Sequence, residues 1–208
     1  MTTTSIGRMT VALAVLTYGC GEYTRQGTSP SQVVITMLEA SSGAQPETFS
    51  NTLRSDVITA VHRTIDNQQI DLPTVLGDSG RVTMALALKD PGQPGVTNTP
   101  SGINRVTFSR YRVTYRRADG RNTPGVDVPF AFDSAATFTV PNEGVVTATF
   151  ELVRQTAKEE APLAALRTSG VVIATIADVA FFGRDLAGHE VTVVGSIGVF
   201  FGNFADPQ

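Results

Sequence analysis

Residues 171–204 (VVIATIADVAFFGRDLAGHEVTVVGSIGVFFGNF) hold two long apolar runs joined by the polar stretch 183–189. No other part of the chain narrows the possible folds as much. In the second run Val191, Val193, Ile197, Val199 and Phe201 share one parity, the period of a strand with one buried face. Gly195 falls on that parity too, which marks a bulge or a close backbone approach. In the first run Ile173, Val179 and Phe181 share one face, while Ile176, Ala180 and Phe182 take the other. That strand is expected to be covered on both sides, and a hairpin this apolar belongs at the centre of a stack of sheets.

The remaining chain supplies partners of the same kind. Valine, threonine and phenylalanine are plentiful, and nineteen glycines and eleven prolines provide frequent turns, a mix that favours short strands over helices. Strands are expected at 32–40, at 52–63 with mixed period, at 81–89, at 104–117, at 136–140 and at 145–153. The stretch 64–80 reads as polar turn and 90–102 as a long loop. Within 104–117, Val106 and Phe108 have one parity and Tyr111, Val113 and Tyr115 the other, so a bulge is expected near Ser109–Arg110. Asp119-Gly120 signals a hairpin turn. Residues 156–169 form at most a short helix, interrupted by Pro162. The expected fold class is all-β: a single antiparallel β-sandwich of about seven or eight strands over residues 31–208.

The N-terminus reads differently. Arg8 precedes the apolar run 9–16 (MTVALAVL), and Thr17-Tyr18-Gly19-Cys20-Gly21 follows. A charged start, a short apolar core and a small residue before the cut describe a secretory signal. The run is too short to span a bilayer. Gly19-Cys20 resembles the end of a bacterial lipoprotein signal, with Thr17 where leucine is usual. The resemblance implies a signal peptide at 1–19 and lipidation of Cys20. Gly21 after the cysteine then favours the outer membrane. Residues 20–30 (CGEYTRQGTSP) have no apolar period and read as a flexible tether. Cys20 is the one cysteine of the chain, so no internal disulfide is available.

The stretch 179–189 (VAFFGRDLAGH) resembles the last hairpin of bacterial immunoglobulin-like and fibronectin-type modules, with His189 where asparagine is usual. The resemblance implies an Ig-like sandwich. Asp185 is suited to accept hydrogen bonds from backbone N–H groups across the turn, and Gly188 to take a positive φ. The Cys…Trp…Cys framework of antibody domains is absent.

Few residues suggest chemistry. Residues 58–62 (ITAVH) and 77–80 (GDSG) resemble the histidine and nucleophile segments of trypsin-type proteases, but His62 and Ser79 lie 17 residues apart, too few for that two-barrel fold. His62 and His189 have no metal-ligand spacing, so neither a metal nor a cofactor is expected. Asp127, Asp133, Asp178 and Asp185 lie in or near loops, where a calcium site is the sharper alternative to solvated turns. Arg110, Arg112 and Arg116 share a parity opposite Tyr111, Val113 and Tyr115. They form a basic outer face, either a charge-guarded strand or a binding face for acidic glycan, lipid headgroup or protein. Val126, Val128, Phe130 and Phe132 make the loop 124–132 unusually apolar: it either folds over an open end of the sandwich or serves as an exposed contact site. A net charge of −3 and a pI near 5.4 do not suggest a nucleic-acid partner.

The sequence therefore points to a lipid-anchored cell-envelope protein at the outer membrane or cell surface. It acts as a non-catalytic binding or structural module, partnered by the membrane through Cys20 and by an envelope protein or glycan. A secreted carbohydrate-binding accessory domain and an envelope enzyme with a dispersed site are the alternatives. The lack of tryptophan weighs against the first of these, and the lack of a motif against the second.

Overall fold

The computed structural model describes residues 29–204. The expected signal segment and Cys20 lie outside the described residues, as does the tether as far as residue 28. In chain order the strands are β1 (Ser31–Ser41), β2 (Thr52–Asp56), β3 (Thr59–Ile65), β4 (Gln68–Thr74), β5 (Asp78–Leu88), β6 (Gly92–Gln93), β7 (Val96–Thr97), β8 (Val106–Arg116), β9 (Phe132–Val140), β10 (Val145–Val153), β11 (Ile173–Asp185) and β12 (Glu190–Gly202). One short helix, α1 (Gln155–Glu159), follows β10, and a 3₁₀ segment, Leu163–Thr168, follows Pro162.

Eight strands form the two main sheets, in the orders β1-β5-β10 and β2-β12-β11-β8-β9. The described residues are thus mostly strand, in largely antiparallel sheets, as expected. Two features depart from a plain antiparallel sandwich. The five-stranded sheet curls into a half-barrel, and its edge strand β2 runs parallel to β12, Leu53 opposite Val199.

The closing hairpin is central, as its apolarity demands. β11 has β12 on one side and β8 on the other. Its odd-numbered residues from Ile173 to Phe181 are buried. The opposite face is only half-buried at Ile176, Ala180 and Phe182. The expectation of cover on both sides fails: Arg110 of β8 lies over Phe182, and Arg112 and Arg116 stand opposite Ala180 and Ile176 in the sheet. Gly195 sits in unbroken register with Val179. A Cβ there would stand 2.9 Å from the tips of both Ile35 and Leu38, so the glycine marks close approach by β1 rather than a bulge.

One core joins the sheets. Phe181 packs against Phe150 of the three-stranded sheet at 5.3 Å between ring centres, and against Phe138, Tyr111 and Phe108 at 6.0, 6.1 and 6.3 Å. Such pairs each contribute about 0.5–1.5 kcal/mol beyond burial. Two hydroxyls cross from β8 to β10. Tyr111 donates to the Glu151 carbonyl (3.0 Å) and accepts from the Glu151 N–H (3.1 Å), and Tyr115 donates to the Leu152 carbonyl (2.6 Å).

Several local expectations are corrected. The mixed period over 52–63 comes from two strands of different sheets, β2 and β3, separated by a break after Asp56. The polar stretch 64–80 contains β4, which pairs with β3 around Asp66-Asn67, both at positive φ. The loop 90–102 carries the small ribbon β6–β7. The turn 141–144 joins β9 and β10, which lie in different sheets, so it is a corner. Asp119-Gly120 does turn, with Gly120 at φ +82°, but within a connection from 117 to 131 rather than a tight hairpin.

Candidate functional site

The site begins with the expected bulge. Pairing of β8 with both neighbours shifts between Phe108 and Arg110: against β11 Ser109 is the extra residue, whereas against β9 Ser109 faces two residues, Ala136 and Thr137. An inserted residue bends the strand and raises its twist. Across the bulge β11 carries Gly183, where a Cβ would stand 2.5 Å from the Thr107 carbonyl oxygen. The backbones come too close there for any side chain.

A groove of about 740 Å³ lies between the bulge and the closing turn, lined among others by Arg110, Phe182, Arg184, Leu186, Glu190 and Thr192. On its wall the Arg110 guanidinium lies over the Phe182 ring, 4.0 Å from its centre, a cation–π contact. Arg110 also pairs with Asp133 at 2.5 Å, and Arg112 reaches the same carboxylate at 3.5 Å. Arg184 pairs with Glu190 at 3.0 Å. Further along the face, Arg116 binds Asp178 at 2.6 Å, and Ser196 donates to that carboxylate at 2.5 Å. Burial pushes the Asp178 carboxyl up, but the hydrogen bonds from Arg116 and Ser196 outweigh it and hold it below the usual range.

Arg110, Arg112 and Arg116 are therefore exposed and opposite the buried Tyr111, Val113 and Tyr115, as their parity requires. Each is partnered. Arg110 and Arg112 share one carboxylate beside the Phe182 ring and the hydroxyl of Thr192, while Glu190 balances Arg184 in the same groove. That arrangement suits a ligand carrying hydroxyls and a carboxylate or sulfate group.

At the closing turn Asp185 behaves as its sequence context demands. Its carboxyl accepts from the His189 N–H and from the His189 ring, both at 2.9 Å, and Gly188 has φ +87°. Burial raises the Asp185 carboxyl, yet hydrogen bonds from Ser29 and from the His189 ring and backbone hold it below the ordinary range.

The apolar loop is not one surface. Val128 and Phe132 are buried at 1% and 7% exposure, whereas Val126 and Phe130 stand out at 67% and 49%. The loop closes on itself, with the Val126, Asp127 and Val128 N–H groups all donating to the Thr123 carbonyl. The ring of Phe130 covers Gly125. Two of the four residues are core, and the expected contact site shrinks to the other two.

The four loop aspartates do not converge. Asp133 and Asp178 hold arginines, Asp185 holds His189, and Asp127 accepts from the Thr123 N–H. Among the described residues no group of three or more histidine, cysteine or acidic side chains is placed to hold a metal. His62 pairs with Asp71 across β3 and β4.

Sequence reasoning missed one polar cluster altogether. Lys158, Asp78 and Ser55 meet inside the molecule, fully removed from solvent. Their sequence surroundings, TAKEEAP and GDSG, look like solvated helix and turn, so no periodicity announced them.

No family model, no curated protein and no solved structure matches this chain.

Proposed function

We propose that this chain is a lipid-anchored cell-envelope protein whose Ig-like sandwich acts as a binding module without catalysis. The anchor reading rests on the apolar run 9–16 followed by Gly19-Cys20 and a polar tether. The Ig-like reading rests on the 179–189 stretch and on two sheets sharing one core. The single observation that carries the binding role is the groove, where Arg110 lies over Phe182 with Arg184 on the same surface. An acidic glycan fits this chemistry. Its hydroxyls meet polar side chains, its ring faces meet apolar surface, and its carboxylate meets a guanidinium already oriented by stacking.

Binding of a uronic-acid oligosaccharide by calorimetry tests the groove. Arg110→Ala with Arg184→Ala is expected to weaken binding by at least about tenfold, corresponding to one lost charge-assisted contact. Val145→Ser, on the three-stranded sheet and outside the groove lining, should leave it unchanged. No binding by the wild type, or equal binding by the groove variant, rejects the assignment. The anchor is tested separately by expressing the full chain with its own leader. The wild type should fractionate with membranes and Cys20→Ser should not. Export of both in soluble form would instead favour the secreted carbohydrate-binding reading.

A further inference from the structure

Lys158 of α1 and Asp78 at the start of β5 have side chains only 1% and 0% exposed. Lys158 Nζ lies 2.9 Å from Asp78 Oδ1 and 2.8 Å from the backbone carbonyl oxygen of Asp56. Two more donors fix the carboxyl: Ser55 Oγ donates to Oδ2 at 2.5 Å, and the Gly43 N–H donates to Oδ1 at 3.0 Å. As a mere ion pair this is a poor stabilising device, because the cost of drying both charges rivals their attraction. Burial pushes the Asp78 carboxyl upward, towards the neutral acid, against the pull of Lys158, Ser55 and Gly43.

We propose that Lys158 and Asp78 condense to an amide, an internal covalent crosslink between Nζ and Cγ. The ion pair already holds every atom required. One proton passes from Nζ to Oδ1, giving amine and acid. The amine lone pair attacks Cγ and the N–C bond forms. The Cγ–Oδ1 bond then breaks, and Oδ1 departs as water, taking its own proton and a second one from Nζ. Oδ2 remains as the amide oxygen and keeps the Ser55 hydrogen bond, which also stabilises the charge that gathers on it in the tetrahedral intermediate. No redox partner is needed. In bulk water hydration of the separate ions opposes this condensation. Here the ions have lost that hydration, and groups held in contact reach effective concentrations of ~10⁵–10⁸ M.

The bond has a structural use. It joins positions 80 residues apart and ties α1, between β10 and β11, to the middle strand of the three-stranded sheet. A chain with one cysteine has no disulfide to do this. The inference does not depend on the proposed ligand or anchor.

The test is a tryptic digest of the full chain after denaturation, read by mass spectrometry. Cleavage releases residues 64–81, which carry Asp78, and residues 155–167, which carry Lys158. The expected product is a branched species with the mass of both peptides less one water, uncut after Lys158. Lys158→Arg abolishes it. Ser55→Ala slows its appearance in newly made protein by about 10²-fold, the usual effect of removing one oxyanion donor. Wild-type protein that yields 64–81 and 155–167 only as unbranched peptides, cut or uncut at Lys158, overturns the proposal whatever the variants do.

Discussion

Gly183 and Gly195 look alike in sequence, yet they are constrained by different neighbours. At Gly183 the obstacle is the backbone of Thr107, and at Gly195 it is the tips of Ile35 and Leu38. Side-chain tips can turn aside and a paired strand cannot. Overpacking costs about 1–3 kcal/mol, so Gly183→Ala should fall at the top of that range and Gly195→Ala near the bottom, as measured by urea unfolding. Tyr115→Phe removes a buried hydroxyl from the Leu152 carbonyl and should cost about 1–3 kcal/mol. Asp185 makes a pH-dependent case. Its carboxyl sits lower in the folded state than the unfolded value of about 3.9. Its contribution is therefore complete above that value and fades as pH falls through the folded one. Asp185→Asn should melt lower than the wild type at neutral pH, and the gap should close in acid below about pH 4. The role of Asp185 was legible because turn chemistry is local. Lys158 and Asp78 were not, because their hydrogen-bond partners Ser55, Asp56 and Gly43 are distant along the chain.

Among the elements, strands with one buried face announced themselves and the others did not. β8 and β12 alternate, and the slip at Ser109 was visible as a change of parity. β4 is exposed from Gln68 to Pro73, so its two aliphatic residues, Ile70 and Leu72, meet no core and are too few to mark a strand. Its hairpin with β3 is held by pairing around Asp66-Asn67 rather than by a core. Two-stranded hairpins of this kind are marginal alone. Amide hydrogens of β3 and β4 should exchange orders of magnitude faster than those of β11 and β12 in a native-state exchange experiment. Protection of β3 equal to that of β11 would contradict this. The split of 52–63 between two elements was likewise hidden, because a window spanning a break averages two patterns.

At the scale of the molecule, the sequence carried the all-β, largely antiparallel character and the central place of the closing hairpin. It could not carry the half-barrel curl of the five-stranded sheet, nor the groove lined by Ser109 and Gly183. Nor did it carry the parallel partnership of β2 with β12. That last feature governs the order of assembly. β12 lies between β2 and β11, yet it follows every other strand in the chain. Until residues 190–202 have been made, Leu53 has no Val199 beside it and the β2 edge has nothing to join. Loop-closure entropy is thus met late and over long separations, which slows folding. A nascent chain lacking this strand stays open, and its commitment to the native state waits on its most apolar segment.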